Sequence, residues 1–222
     1  MRKTAAVLAA LLAALMLAGC GSRAETKKMA GSWYCDVDVT QQMNDAALEA
    51  LGVAATSGST MTLRMVFTLQ PDGAYTLGYD TAAVRTALDN YSAALRTAAA
   101  ESIYAAAEAQ GYDREEYDAA MEQAGITVEQ MADAVFDGID DQELVSLLTG
   151  DSAGSSGYCK AESGRLHMAD SADALEDAGY VSYIWDSEGV MRWTVDSGVL
   201  LQQLTEQERT LVQFPLVWTK AE

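Results

Sequence analysis

The sequence predicts an α+β protein: an antiparallel β-barrel or strongly curved sheet of about eight strands, interrupted by a large helical insertion. Three observations carry this. Residues 31–80 and 156–220 contain repeated runs in which apolar and polar side chains alternate with period two, the mark of half-buried strands. Residues 81–149 hold 17 alanines and no proline, tryptophan or lysine, a helical composition. All four tryptophans, Trp33, Trp185, Trp193 and Trp218, fall in the strand-like stretches.

The chain opens on MRKTAAVLAALLAALMLAGC. Arg2 and Lys3 form a basic start, and Ala5 to Ala18 is unbroken apolar sequence, so residues 1–19 read as a secretory signal peptide. Its end, Leu17-Ala18-Gly19-Cys20, resembles a bacterial lipobox, which implies cleavage before Cys20 and acylation of that cysteine. An uncleaved transmembrane helix is the alternative, since residues 4–22 carry no charge and a span needs about 20 residues. Residues 20–28 then read as a short polar tether, and 29–222 as a single domain.

The first strand is expected over about 32–39, in GSWYCDVDV. A short helix follows in DVTQQMNDAALEALG, with Thr40 as its N-cap and Gly52 closing it. Met61, Leu63, Met65, Phe67 and Leu69 then alternate with polar or smaller residues up to Pro71-Asp72-Gly73, and Tyr75, Leu77 and Tyr79 alternate beyond it. Two alternating runs joined by turn chemistry make an antiparallel hairpin.

In the insertion, Gly111, Gly125 and Gly138 each follow a helical stretch. Asp113 with Glu116, Thr127 with Gln130 and Asp140 with Glu143 have capping-box spacing. The reading is one long helix over about 81–110 and three short ones. Val84, Leu88, Tyr91, Leu95, Ala98, Ser102 and Ala105 form a narrow heptad-like stripe on the long helix, suited to close packing. Beyond the insertion, further strands are expected over about 156–161, 164–169, 180–186, 189–195 and 213–220. Short strands with tight turns that close on themselves suggest an up-and-down barrel.

Four features in this order, the lipobox, Gly31-Ser32-Trp33, the Phe67 to Tyr75 hairpin with its Asp72-Gly73 turn, and Pro215-Leu216 to Lys220 in the last strand, resemble lipocalin-like lipoproteins of anaerobic Gram-positive bacteria. The resemblance covers both strand blocks and not the helices. It implies a barrel with Trp33 packed across one end.

Removing residues 1–19 leaves 12 basic and 33 acidic side chains, a net charge of −21. That disfavours nucleic acid as a partner, and it disfavours docking on anionic lipid beyond the anchor itself. With Cys20 acylated, Cys35 and Cys159 remain. Export permits a disulfide between them, and two buried free thiols are the alternative. The single histidine, His167, has Leu166 and Met168 on the opposite strand face, and one imidazole does not build the usual zinc site. No G-x-S-x-G, P-loop or G-x-G-x-x-G occurs, and DAVFDGIDDQEL fails as a calcium loop because two ligand positions are apolar. No catalytic residue, metal site or cofactor is expected.

The function expected is therefore non-enzymatic: a lipid-anchored module on the outer face of the cell membrane, holding a small apolar or amphipathic ligand. Trp33, Tyr75, Trp185 and Trp193 are the candidate lining residues, with core filling as the alternative. The competing reading is an envelope-assembly lipoprotein whose helical block, with 14 acids and 3 arginines, contacts another protein. Cys20→Ala is expected to leave the protein unprocessed or to release it from membranes, as cell fractionation would show. Normal cleavage with retained membrane association would contradict the anchor.

Overall fold

The computed structural model describes residues 24–55, 58–137, 141–149, 154–197, 200, 209 and 212–221. The signal peptide, Cys20, Gly138 and the Asp140–Glu143 capping pair lie outside the described residues. Eight strands form a closed antiparallel barrel in simple chain order: β1 (Gly31–Asp38), β2 (Thr62–Leu69), β3 (Ala74–Tyr79), β4 (Ser155–Glu162), β5 (Arg165–Ala169), β6 (Tyr180–Ser187), β7 (Val190–Asp196) and β8 (Leu216–Lys220). The expected α+β barrel is thus the observed fold. By compactness the described residues group into two units, one within 24–36, 65–79 and 154–221, the other within 37–64 and 80–149.

In the first unit the ring closes where β1 meets β8, pairing Trp33 with Lys220 and Tyr34 with Thr219. Period-two alternation places Trp33, Cys35, Phe67, Leu69, Tyr75, Leu77, Cys159, Leu166, Met168, Val181, Tyr183, Met191, Trp193, Leu216 and Trp218 inside, all nearly or fully buried. The Phe67 ring meets Tyr75, Trp193 and Trp218 at centroid distances of 5.9, 5.3 and 6.0 Å, and Trp193 lies 4.6 Å from Trp218. These rings pack against one another in the space that the closed sheet encloses. The buried indole N–H groups of Trp193 and Trp218 find no acceptor among the described residues.

The β2–β3 turn forms as its sequence requires. Gly73 takes φ +98°, its N–H donates to the Gln70 carbonyl at 3.0 Å, and Asp72 Oδ1 accepts from Ala74 N–H at 3.0 Å. Gly73 has a second duty: its carbonyl accepts from Cys159 N–H at 2.7 Å, and a Cβ there would stand 2.7 Å from the Cys159 carbonyl oxygen.

A short helix, α1, occupies residues 24–29. This corrects the expected polar tether: its last part is folded and docked. Thr26 Oγ1 accepts from Ala161 N–H at 3.1 Å, Tyr183 donates its hydroxyl to Glu25 at 3.1 Å, and the Met29 carbonyl accepts from Trp33 Nε1 at 2.8 Å. Met29 is fully buried.

The second unit contains α2 (Thr40–Leu51), α3 (Thr81–Ala109), α4 (Arg114–Gln123), α5 (Val128–Ala134) and α6 (Asp141–Thr149). Asp80 caps α3, and both described capping boxes, Asp113 with Glu116 and Thr127 with Gln130, are formed. Gly52 closes α2 at φ +73° as expected. Thr40 does not cap α2: it is the first helical residue, and its hydroxyl accepts from Met61 N–H at 2.8 Å. The α3 stripe holds for Val84, Leu88, Tyr91 and Leu95, then shifts: Ala99 and Ala107 are buried, whereas Ser102 and Ala105 are exposed.

Gly73→Ala is expected to destabilise the barrel by more than about 2 kcal/mol, combining left-handed strain with a backbone collision. Urea unfolding would measure it. A change within about 0.5 kcal/mol would show that the turn relaxes freely.

Candidate functional site

A cleft of about 510 Å³ opens in the barrel unit, lined by Lys28, Trp33, Trp185, Ser187, Glu188, Gly189 and Lys220. Three local structures build it. First, α1 delivers Lys28 at its penultimate position, with Nζ 4.9 Å from the centre of the Trp185 ring. Second, the end of β8 delivers Lys220, whose Nζ stands 5.4 Å from the centre of the Trp33 ring. The Lys220 chain reaches there by crossing Gly31, where a Cβ would come within 2.8 Å of Lys220 Cε. That contact is with the end of a flexible side chain and can yield, but Gly31 also takes φ +131°, which favours glycine. Third, β6 and β7 pair Trp185 with Met191 but Ser187 with Val190, leaving Asp186 as an extra residue. This bulge breaks the alternation next to Trp185. Asp186 is held by Arg192 at 2.7 Å.

Trp33 and Trp185 lie 5.7 Å apart with a 55° tilt. Trp33 is fully buried and forms the floor, while Trp185 is only half-buried and offers ring surface. Among the described residues neither Lys28 nor Lys220 has a carboxylate within ion-pair distance, whereas Arg96, Arg114, Lys160 and Arg192 each do. Glu188 is the one carboxylate of the lining.

Of the four candidate lining residues, the structure brings Trp33 and Trp185 together at this cleft. Tyr75 and Trp193 belong to the buried cluster around Phe67. The sequence reading assigned no role to Lys28 or Lys220. Lys220 was available as part of the last-strand motif, but nothing local to Lys28 distinguishes it from a solvated tether residue.

Cys35 and Cys159 are free, which corrects the expected disulfide. Their strands, β1 and β4, stand three ladder steps apart in the ring. At about 4.8 Å per step that is roughly 14 Å along the wall, against the 7 Å or less between Cα atoms that a disulfide needs. Both thiols face the interior from different walls, and burial pushes each from the ordinary 9.0 up to about 12. His167, expected on the solvent face, is half-buried, its Nδ1 3.3 Å from the Ala178 carbonyl and its ring beside Tyr180. Among the described residues no cluster of three His, Cys, Asp or Glu side chains is placed to hold a metal ion, and no helix is long and apolar enough to cross a membrane.

The helical unit has its own recess of about 220 Å³, almost wholly apolar, with Met43, Leu51, Leu88, Leu95 and Phe136 in its walls. Arg96 sits at its edge, occupied by Asp133 at 3.3 Å and the Phe136 ring at 5.1 Å. No family model, curated protein or solved structure matches the chain.

The thiols yield a test of the interior. Their raised pKa values keep them neutral in the folded state, so their contribution to stability is complete below about pH 9 and is lost as pH rises towards about 12. Native protein is expected to resist iodoacetamide at neutral pH, and unreduced, denatured protein to alkylate at both thiols, as intact-mass measurement would show. Labelling of the native protein at the unfolded rate would mean an open interior.

Proposed function

We infer that the protein is an extracytoplasmic lipoprotein, held at the membrane through Cys20, that acts as a non-enzymatic binding module for a small amphipathic ligand. The observation that carries this reading is the cleft itself. It is a concave site with one part-exposed indole and two ammonium groups that no carboxylate of the described residues pairs with, in a chain of net charge −19. Both stand over aromatic rings, where a cation–π contact leaves their N–H donors available. The order of lipobox, G-x-W strand and closed barrel supports the resemblance to lipocalin-like lipoproteins as the source of the scaffold. It does not define the ligand.

The site differs from the one expected inside the barrel. Phe67, Trp193 and Trp218 occupy the middle of that space, so the reading moves the ligand to the end where Trp33 and Trp185 meet.

Native mass spectrometry of the full-length protein, extracted from membranes of its own host, tests this. A co-purifying species of small mass that is lost in Trp185→Ala supports the reading. Protein that is consistently free of any small species in gently extracted samples contradicts it. The apolar recess of the helical unit favours a second reading, contact with another envelope protein. That reading predicts loss of a macromolecular partner when Leu51 or Leu88 is replaced by a charged residue, with the small ligand unaffected.

A further inference from the structure

We propose that the cleft takes an amphipathic anion: a phosphate or carboxylate head held between Lys28 and Lys220, with an apolar body against Trp185. The inference rests on the binding-module reading and adds the chemical class of the ligand and where it is met.

The charge of the lining decides the class. Lys28 and Lys220 contribute two positive charges and Glu188 one negative, a local excess of +1 in a chain of −19. The neighbouring Asp186 is already engaged by Arg192, with 2.7 Å between Arg192 Nη2 and Asp186 Oδ2. An anionic head would gain charge-assisted hydrogen bonds from donors that no carboxylate of the described residues uses. A cation would meet only Glu188, opposed by two ammoniums. A neutral apolar ligand would leave both lysines without a role. The half-exposed face of Trp185 accounts for the apolar body, because a bare inorganic anion gains nothing from an indole.

The position of Lys28 indicates where such a ligand is met. Its helix is fixed to the barrel by Thr26, Glu25 and Met29, so the cleft and the start of α1 move together. Four residue steps separate Cys20 from Ala24, a reach of at most about 14 Å even fully extended. With about 6 Å more along the helix to Lys28, an acyl chain on Cys20 holds the cleft within roughly 20 Å of the head-group layer. Tryptophan and lysine are the side chains that suit that layer. An anionic lipid of the anchoring membrane and a free amphiphile arriving from outside share this chemistry, and the experiment separates them.

Full-length acylated protein in phosphatidylcholine nanodiscs is titrated calorimetrically with 2-naphthyl phosphate, 2-naphthaleneethanol and inorganic phosphate. The naphthyl phosphate is expected to bind at least about tenfold more tightly than either comparator, since it alone uses both the lysines and the indole. Lys28→Gln and Lys220→Gln are each expected to weaken it about three- to tenfold, and Trp185→Ala similarly, with Lys160→Gln unchanged. Lys28 lies outside the barrel strands, so its variant tests the site even if Lys220→Gln perturbs folding, which circular dichroism would reveal. Repeating the titration in nanodiscs containing phosphatidylglycerol assigns the source: reduced probe affinity identifies the bilayer lipid as the competing ligand, and unchanged affinity identifies a free amphiphile. If the neutral alcohol binds as tightly as the phosphate, or Lys28→Gln and Lys220→Gln both bind it normally, the anionic class is wrong while the binding-module reading stands. If no probe binds the folded protein, the proposal falls. The binding-module reading falls with it only if protein from the native host also carries no small species.

Discussion

The barrel depends on one crossing, that of Lys220 over Gly31 onto the ring of Trp33. At this point the first and last strands are adjacent, with Trp33 opposite Lys220. An up-and-down sheet that fails to join there has two free edges, each a row of unpaired N–H and C=O groups. The indole of Trp33 is held on its other side by the Met29 carbonyl, which brings α1 into the same junction. Three parts of the chain far apart in sequence are therefore fixed by one buried ring: the segment before the first strand, the first strand and the last. Gly31 serves the junction through its backbone, at φ +131°, and leaves the lysine stem undisturbed.

What was legible in the sequence follows from the range of the forces involved. Strand alternation is set by burial on one face, a local pattern, and the eight strands lie within a few residues of where it puts them. The PDG turn and the capping boxes are local too. Three features depended on closure and were not legible. Cys35 and Cys159 each sit in a convincing strand, but only the order of strands around the ring shows that they face inward from different walls. Residues 24–29 read as tether because the interactions that fold them come from Ala161, Tyr183 and Trp33. The cleft was half-visible: Trp33 and Trp185 were candidates on aromatic character alone, while the lysines that give it chemistry were assigned no role. The α3 stripe fails differently: Ser102 stands five whole turns from the buried Val84, on the same side of the helix, yet is exposed, so periodicity alone does not say how far along the helix a packing face is covered.

The interior has a chemistry of its own. Cys35, Cys159, Trp193 and Trp218 place two thiols and two indole N–H groups in a space otherwise lined by apolar side chains. A thiol behaves there as a small hydrophobe, and its raised pKa is the thermodynamic statement of that. The indoles are less at home. Each buried donor without an acceptor costs roughly 1–3 kcal/mol, offset by the large ring surface buried with it.

The net charge and the local charge act on different steps of binding. At physiological ionic strength the screening length is about 8 Å, so most of the acidic surface is not felt by an anion already seated between Lys28 and Lys220. The same surface is felt on approach, where it opposes an anion arriving through solution and slows association. On the proposed anchored reading, a ligand already residing in the membrane surface would avoid much of that approach. The acidity of the chain and the two cleft lysines would then be compatible: the first would discourage anions from solution, and the second would retain one met at the membrane surface.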